Sequence, residues 1–385
     1  MKRLSKALVA TGIVLVVLVV ILVVVGFWFV RRPWPKVDGK VSVPGLSAPV
    51  EVIRDEWGVP HIYAQNEHDL FYAQGYVHAQ DRLWQMEFNR RVASGTLSAI
   101  LGEATLDTDR FMRTIGLRRA AEHDWALADG ETRDALLAYA DGVNAFIESH
   151  QNRLPLEFMF LGAEPEPWTP VDTLACGKVM SFYLCGNYES ELLRARLIAA
   201  LGEEAAQQIM LPYPDQGPFI VPPEALNYSW LRDSEFAELD AAAFGVGMPR
   251  TDWGSNNWVV HGSRTATGLP LLADDMHLGL DMPAIWYENG LHGGGFNSVG
   301  YSFPGVPMVI VGHNEQIAWA VTNLPSDVQD LYIEKLDDPV HPTQYEFQGQ
   351  WKDLEILYET IEVKGESPVT IRVLSTQHGP IMNPV

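Results

Sequence analysis

The sequence predicts an α+β protein behind an N-terminal membrane anchor, and three observations predict it. A long uncharged run opens the chain, helical periodicity fills the part that follows, and short β-rich segments punctuated by Gly and Pro fill the end. Residues 1–34 read as the anchor, 35–230 as a helix-rich region, 231–254 as a connector and 255–385 as a β-rich region. Composition supports a folded body: the 385 residues are 47% hydrophobic and 20% charged, which excludes collagen, coiled coil or disorder as a whole-chain state. Lys+Arg 27 against Asp+Glu 49 gives a net charge of -22, so the chain lacks the basic face that nucleic acid requires. The same charge argues against loose docking on anionic lipid.

The anchor runs from Ala7 to Val30 without a charge. As a helix it spans about 36 Å, enough for a bilayer core of roughly 30 Å. It exceeds a signal-peptide core, and no small-x-small cleavage site follows it. Phe27, Trp28 and Trp34 suit the aromatic belt of an interface. Lys2, Arg3 and Lys6 before the run balance Arg31, Arg32 and Lys36 after it. A signal anchor with the body outside the cytoplasm, periplasmic or extracellular, is the expectation; a cleaved export signal is the alternative, and both export the body.

Behind the anchor, Val41–Val43, Val50–Arg54 and His61–Ala64 have strand character around the turn-forming Pro44-Gly45. Apolar spacings of three and four residues predict helices over Glu67–Leu101, Glu131–His150 and Thr173–Ala200. Cys176 and Cys185 would lie on opposite faces of the last helix, roughly 13 Å apart, too far for a disulfide. They read as two buried small hydrophobes. From Pro212 the chain turns Pro-rich, then acidic. Strand candidates recur beyond it at Trp258–His261, Pro270–Ala273, Ile285–Asn289, Met308–Val311 and Ile317–Thr322.

No HExxH, Walker A, EF-hand loop or strand–GxGxxG–helix occurs. His292-Gly293-Gly294-Gly295 matches an esterase oxyanion loop, but the GxSxG elbow that such an enzyme needs is missing. Those glycines read as tight turns. The strongest feature is Trp253-Gly254-Ser255-Asn256-Asn257-Trp258, where the connector ends in Gly-Ser and a strand begins at once. Cleavage between Gly254 and Ser255 would give Ser255 both a hydroxyl and an α-amine. An α-amine titrates at about 7.7–8.0, so it acts as a base near neutral pH, and one residue supplies nucleophile and base.

At this point the sequence resembles the penicillin acylase (penicillin amidase) family of N-terminal-nucleophile hydrolases. The resemblance runs from about Val50 to the last residue. It rests on Arg54-Asp55-Glu56-Trp57-Gly58-Val59-Pro60-His61-Ile62, Ala79-Gln80-Asp81-Arg82-Leu83-Trp84-Gln85-Met86-Glu87 and Tyr139-Ala140-Asp141-Gly142-Val143-Asn144-Ala145-Phe146. After the connector it rests on Gly254 to Val259, Asp275-Met276-His277-Leu278 and Gly312-His313-Asn314-Glu315-Gln316-Ile317-Ala318-Trp319. It implies a four-layer αββα sandwich and a precursor that cuts itself before Ser255 into an α/β heterodimer. The residue roles it implies are these. Ser255 attacks an amide carbonyl and forms an acyl-enzyme. His277 lies beside the new N-terminus and helps position the leaving group. The backbone N–H of Asn323 serves the oxyanion hole. Such a donor is worth about 3–4 kcal/mol.

The resemblance also implies a structural Ca²⁺, with Glu191, Asp327, Asp330 and the carbonyl of Gln329 as hard oxygen ligands, and no organic cofactor. Met180, Leu184, Met276, Leu278, Val311, Val321 and Leu324 would line the acyl pocket. Their apolar character favours an aromatic or aliphatic acyl group, as in penicillin-type β-lactams or N-acyl-homoserine lactones. The expected partner is thus a small N-acyl substrate. From Ser255 to Val385 the β-rich region is shorter than the family's β chain, and the expectation is a truncated chain, inactive alone, without the second oxyanion donor. A non-catalytic, membrane-anchored remnant and an α/β-hydrolase esterase are the alternative readings.

Overall fold

The computed structural model describes residues 2–210, 254–323 and 328–382. Apart from Gly254, the predicted connector lies outside them, as do Leu324 and Asp327. The described helices are α1 (Lys2–Arg31), α2 (Glu67–Ser94), α3 (Ser98–Leu101), α4 (Leu106–Ile115), α5 (Leu117–Leu127), α6 (Gly130–His150), α7 (Leu156–Leu161), α8 (Pro170–Leu184), α9 (Asn187–Leu201) and α10 (Glu203–Ile209). The described strands are β1 (Glu51–Arg54), β2 (Pro60–Tyr63), β3 (Ser255–Val260), β4 (Leu271–Met276), β5 (Tyr287–Gly293), β6 (Phe296–Ser302), β7 (Val311–His313), β8 (Ala318–Trp319), β9 (Gln344–Phe347), β10 (Gln350–Asp353), β11 (Glu355–Ile361), β12 (Val369–Thr376) and β13 (Gly379–Pro380). The fold is mixed α and β, as expected. Residues group into two compact units.

The first unit holds residues 1–88, 128–170 and 286–317. Its α1 is exposed along Thr11–Arg31, a stretch long and apolar enough to cross a membrane. Arg31 caps that helix by lying over Phe27 at 5.1 Å and Trp34 at 4.6 Å. The sheet runs β1-β2-β5-β6-β7, and only the β2–β5 pair is parallel, with Ile62 opposite Leu291. Gly293, Gly294 and Gly295 form the β5–β6 turn at φ 124, 60 and 89, so those glycines do mark a turn. Ile62, Leu70, Ala73, Val77, Tyr287 and Leu291 pack the core between sheet and α2. Each large apolar side chain buried there contributes about 1.5–3 kcal/mol.

α6 lies against α2 because glycines let the two backbones meet. A Cβ on Gly142 would sit 1.8 Å from the Tyr72 carbonyl oxygen, and one on Gly75 would sit 2.1 Å from that of Tyr139. Under this contact lies a buried polar network. His78 Nδ1 lies 2.7 Å from the Tyr139 hydroxyl, and its Nε2 lies 3.1 Å from Ser302 Oγ. Asn289 Nδ2 donates to Ser302 Oγ at 2.9 Å, and Gln74 Nε2 donates to Asn289 Oδ1 at 3.0 Å. Burial, with a smaller push from the Arg82 cation, lowers the His78 pKa to about 3. Nearby, Arg54 clasps the Asp81 carboxylate at 2.8 Å, and the Tyr287 hydroxyl donates to it at 2.5 Å. Burial and that carboxylate push the Tyr287 phenol well up.

The second unit holds residues 89–127, 171–285 and 318–385. Asp109 accepts from the amides of Leu97 at 2.9 Å and Ser98 at 2.6 Å, which satisfies donors at the start of α3. Burial raises the Asp109 carboxyl, although these amides, the Ser98 hydroxyl and Arg113 oppose it. Arg113 and Arg119 grip Glu359 of β11 at 2.5 and 2.6 Å. Leu106 of α4 packs with Ile361 and Val363 beside them.

Several expected elements need correction. The helix expected over Glu67–Leu101 stops at Ser94, and of Met308–Val311 only Val311 is in a strand, because Met308 turns the chain at φ 77. The helix placed over Thr173–Ala200 is α8 and α9, broken at Cys185-Gly186, where Gly186 leaves helical geometry at φ -63, ψ 39. Val41–Val43 is not a strand: no neighbouring backbone pairs with it. Neither Cys176 nor Cys185 is in a disulfide, and both are half-buried where full burial was expected.

Candidate active site

The Gly-Ser junction sits at the edge of a two-stranded antiparallel ribbon. Trp258, Val259 and Val260 supply the β-formers that make β3. Their strand begins at Ser255 and pairs with β4 in the register Ser255–Met276, Asn256–Asp275 and Asn257–Asp274. One step outward, the His277 amide donates to the Gly254 carbonyl oxygen at 2.9 Å. The bond that would be cut is therefore held at its carbonyl by a ladder hydrogen bond.

Side chains alternate along each strand, so Ser255, Met276 and Asp274 share one face of the ribbon. Asp275 and His277 share the other. There His277 Nε2 lies 3.0 Å from Asp275 Oδ2, and its Nδ1 lies 3.8 Å from where a Cβ would stand on Gly254. Ser255 is half-buried, and His277 and Asp275 are exposed.

The loop that carries Asn323 is tied to this ribbon and to α8. Val321 N donates to Asp274 Oδ2 at 3.3 Å, and Asn323 Nδ2 donates to the Leu184 carbonyl at 2.7 Å. Asp274 Oδ1 is buried with no hydrogen-bond partner among the described residues. Of the expected pocket residues, Met276 stands opposite Ser255. Met180, Leu184 and Leu278 are half-buried in the same unit, and Val321 is exposed. Val311 is a buried residue of β7 in the first unit. Leu324 lies outside the described residues.

The expected metal ligands come partly together. Glu191 Oε2 accepts from Leu331 N at 2.9 Å, and Asn187 Nδ2 donates to the Gln329 carbonyl at 3.0 Å. Gln329 Oε1 is buried with no hydrogen-bond partner among the described residues, and Asp330 is exposed. These are hard oxygen donors, the chemistry Ca²⁺ selects. Among the described residues no three His, Cys, Asp or Glu side chains converge to hold a metal, and Asp327 lies outside them.

Sequence reasoning missed Asp275, Asp274 and Asn187. The Asp-x-His spacing of 275 and 277 was a usable signal, because residues two apart on a strand share a face.

The family described as penicillin amidase matches residues 49–384. A penicillin acylase 2 proenzyme from Pseudomonas sp. (strain SE83) is 36% identical over 357 residues, covering 90% of this chain and 45% of that protein. An acyl-homoserine lactone acylase, QuiP, from Pseudomonas aeruginosa is 33% identical over 362 residues, covering 91% of this chain and 42% of that protein. A thermostable penicillin G acylase structure from Alcaligenes faecalis aligns at TM-score 0.38 and 30% identity, covering 45% of this chain and 97% of that one. The chain belongs to the penicillin amidase family. It spans less than half the length of the curated relatives it matches.

Proposed function

We propose that this chain is the front part of a self-processing amidohydrolase that cleaves linear amide bonds of N-acylated small molecules. The observation that carries the reading is Ser255 at the first position of a strand, directly after Gly254, in a chain of this family. Cutting there frees the Ser255 amine. The Ser255 hydroxyl then attacks the substrate amide, and water releases the acyl group. His277 helps position the leaving group, and the Asn323 backbone N–H stabilises the oxyanion. Two relatives are named for penicillin and for acyl-homoserine lactones, and the apolar set Met180, Leu184, Met276 and Leu278 suits such acyl groups. One relative is named a proenzyme, which supports the maturation step.

In this reading the mature protein is an α/β heterodimer with the four-layer αββα architecture, held outside the cytoplasm by α1. Glu191, Asp327, Asp330 and the Gln329 carbonyl would hold a Ca²⁺ that ties residues 327–330 to Glu191, apart from the chemistry. A chelator is then expected to lower the melting temperature, and added Ca²⁺ to restore it; no change would remove the ion from the reading.

The decisive experiment is the intact mass, after denaturation, of the gene product with any native downstream sequence, beside Ser255→Ala. Two chains, one starting at Ser255, against a single uncut mutant chain are expected. One uncut, folded wild-type chain would overturn the mechanism and favour a non-catalytic anchored protein.

A further inference from the structure

The His292-Gly293-Gly294-Gly295 run has no esterase elbow to serve, but its histidine meets another across the sheet. In the parallel pair, His61 of β2 stands opposite Gly290 of β5, and Tyr63 stands opposite His292. Side chains two apart on a strand share a face, so these four residues look the same way. Ile62 and Leu291, between them, turn to the other face and enter the core with α2. Both imidazoles are half-buried, and Tyr63 beside them is exposed.

The rings meet nitrogen to nitrogen, with His61 Nδ1 3.3 Å from His292 Nε2. Two neutral imidazoles at that distance share one hydrogen bond. The same distance separates two nitrogens on one tetrahedral ion, because bonds of about 2.0–2.1 Å place them roughly 3.3 Å apart. The space over Gly290 favours the ion. A Cβ there would stand 2.4 Å from His61 Nδ1 and 2.8 Å from His292 Nε2, with His61 Cε1 next at 3.2 Å. Since the nitrogens are nearer than any ring carbon, that point lies ahead of them and not over a ring face. Glycine keeps it clear of a side chain.

The support around His292 suits a ligand. Its Nδ1 donates to Asn297 Oδ1 at 2.5 Å, and Asn297 Nδ2 donates to the Glu315 carboxylate, which holds the amide oxygen towards the ring. Nε2 therefore carries a lone pair. Fixing a ligand imidazole through its second nitrogen is the usual arrangement in metal sites. Tyr63 stacks on the ring at 4.5 Å and 13°.

The geometry points to a site for a divalent transition ion, Zn²⁺ in the first instance, held by His61 Nδ1 and His292 Nε2 with water completing its shell. Imidazole selects such ions over Ca²⁺ and Mg²⁺, which take oxygen. On binding, the His61 proton moves from Nδ1 to Nε2, and the protein loses none. The ion clasps β2 to β5. It binds only where those strands are paired, so it stabilises the folded state. The proposed Ca²⁺ ligands Glu191, Gln329 and Asp330 are oxygen donors of the second unit, whereas both imidazoles belong to the first. His313, paired with Val299 of β6, stands two strand spacings from Gly290, roughly 10 Å, and serves as a control.

The test uses the tag-free gene product with any native downstream sequence, stripped of metal and then kept in excess Ca²⁺. ZnCl₂ is titrated by calorimetry, and melting is followed with and without it, for wild type, His61→Ala, His292→Ala, Gly290→Ala and His313→Ala. Wild type and His313→Ala are expected to take up one Zn²⁺ at this site and to melt higher with it. His61→Ala and His292→Ala should bind there about 100-fold more weakly or worse and lose the rise. Gly290→Ala keeps both rings but fills the point between them, so it should lose the ion as well. In wild type itself, ¹⁵N spectra should show Zn²⁺ shifting His61 Nδ1 and His292 Nε2 while His313 stays unmoved, a readout independent of how any variant folds. No zinc-dependent rise in wild type, unchanged binding in both the His61 and His292 variants, or zinc shifts confined to other histidines would overturn the site. Ser255→Ala should bind Zn²⁺ as wild type does, so none of these results bears on self-processing.

Discussion

His78 gives the sharpest stability prediction, because its hydrogen bonds admit one protonation state. Its Nε2–H donates to Ser302 Oγ, and its Nδ1 accepts from the Tyr139 hydroxyl, whose oxygen in turn accepts from Gly305 N at 2.9 Å. A second ring proton would face that hydroxyl proton in a site with no water contact. The folded pKa of about 3 lies below the ordinary value of 6.5, so the unfolded chain takes up the proton first. Stability should therefore be full above pH 6.5 and fall as the pH drops towards 3, by about 1.4 kcal/mol per unit. At pH 4.5 the His78 share of the loss is roughly 2–3 kcal/mol. The assay is urea unfolding by tryptophan fluorescence at pH 7.0, 5.5 and 4.5, for wild type and His78→Gln. Subtracting the two cancels the other titrating groups. At pH 7.0 the variant should be less stable by about 2–3 kcal/mol for its disrupted buried hydrogen bonds. At pH 4.5 the gap should close. A gap that stays constant across the three pH values would refute the neutral, fully bonded His78.

Three further outcomes follow from close contacts. Gly142→Ala drives a methyl into the Tyr72 carbonyl, separates α2 from α6, and should cost about 3 kcal/mol in thermal or urea unfolding. Asp109→Ala strands the Leu97 and Ser98 amides at a buried helix start and should cost about 2 kcal/mol, with faster amide exchange at those two positions. Gly290→Ala places a Cβ 2.4 Å from His61 Nδ1 and 2.8 Å from His292 Nε2, so it should break that 3.3 Å imidazole pair and shift both ring signals in NMR.

Long elements were legible because their periodicity is long. The 3.6-residue pattern placed the start of α2 and both ends of α6 but overran the end of α2 at Ser94, and the β-branched pair Val259-Val260 marked β3. The break between α8 and α9 escaped notice because the apolar pattern continues through Cys185-Gly186, and one glycine inside a helical pattern is often tolerated. Strands β9 to β13 carry Gln, Glu, Lys and Thr at exposed positions, so little of their pattern is apolar. At the candidate site, the start of a strand at Ser255 was readable from the Gly-Ser motif and the β-formers after it. The hydrogen bond from the His277 amide to Gly254 was not, since main-chain pairing depends on register, which no single residue announces.

The parallel pairing of β2 with β5 has a consequence for the order of events. Strands β1 and β2 precede Gly254, while β5, β6 and β7 follow Ser255, yet they share one hydrogen-bonded sheet. If the peptide bond at that junction is opened, as proposed, the sheet becomes a seam between two polypeptides. Folding before the cut is an intramolecular search that does not depend on dilution. Refolding after it is an encounter between separate molecules, second order in concentration and open to loss of either strand set. The junction would thus act as a ratchet: the uncut chain carries the folding instructions, and the cut product keeps the shape only as long as it is never fully undone.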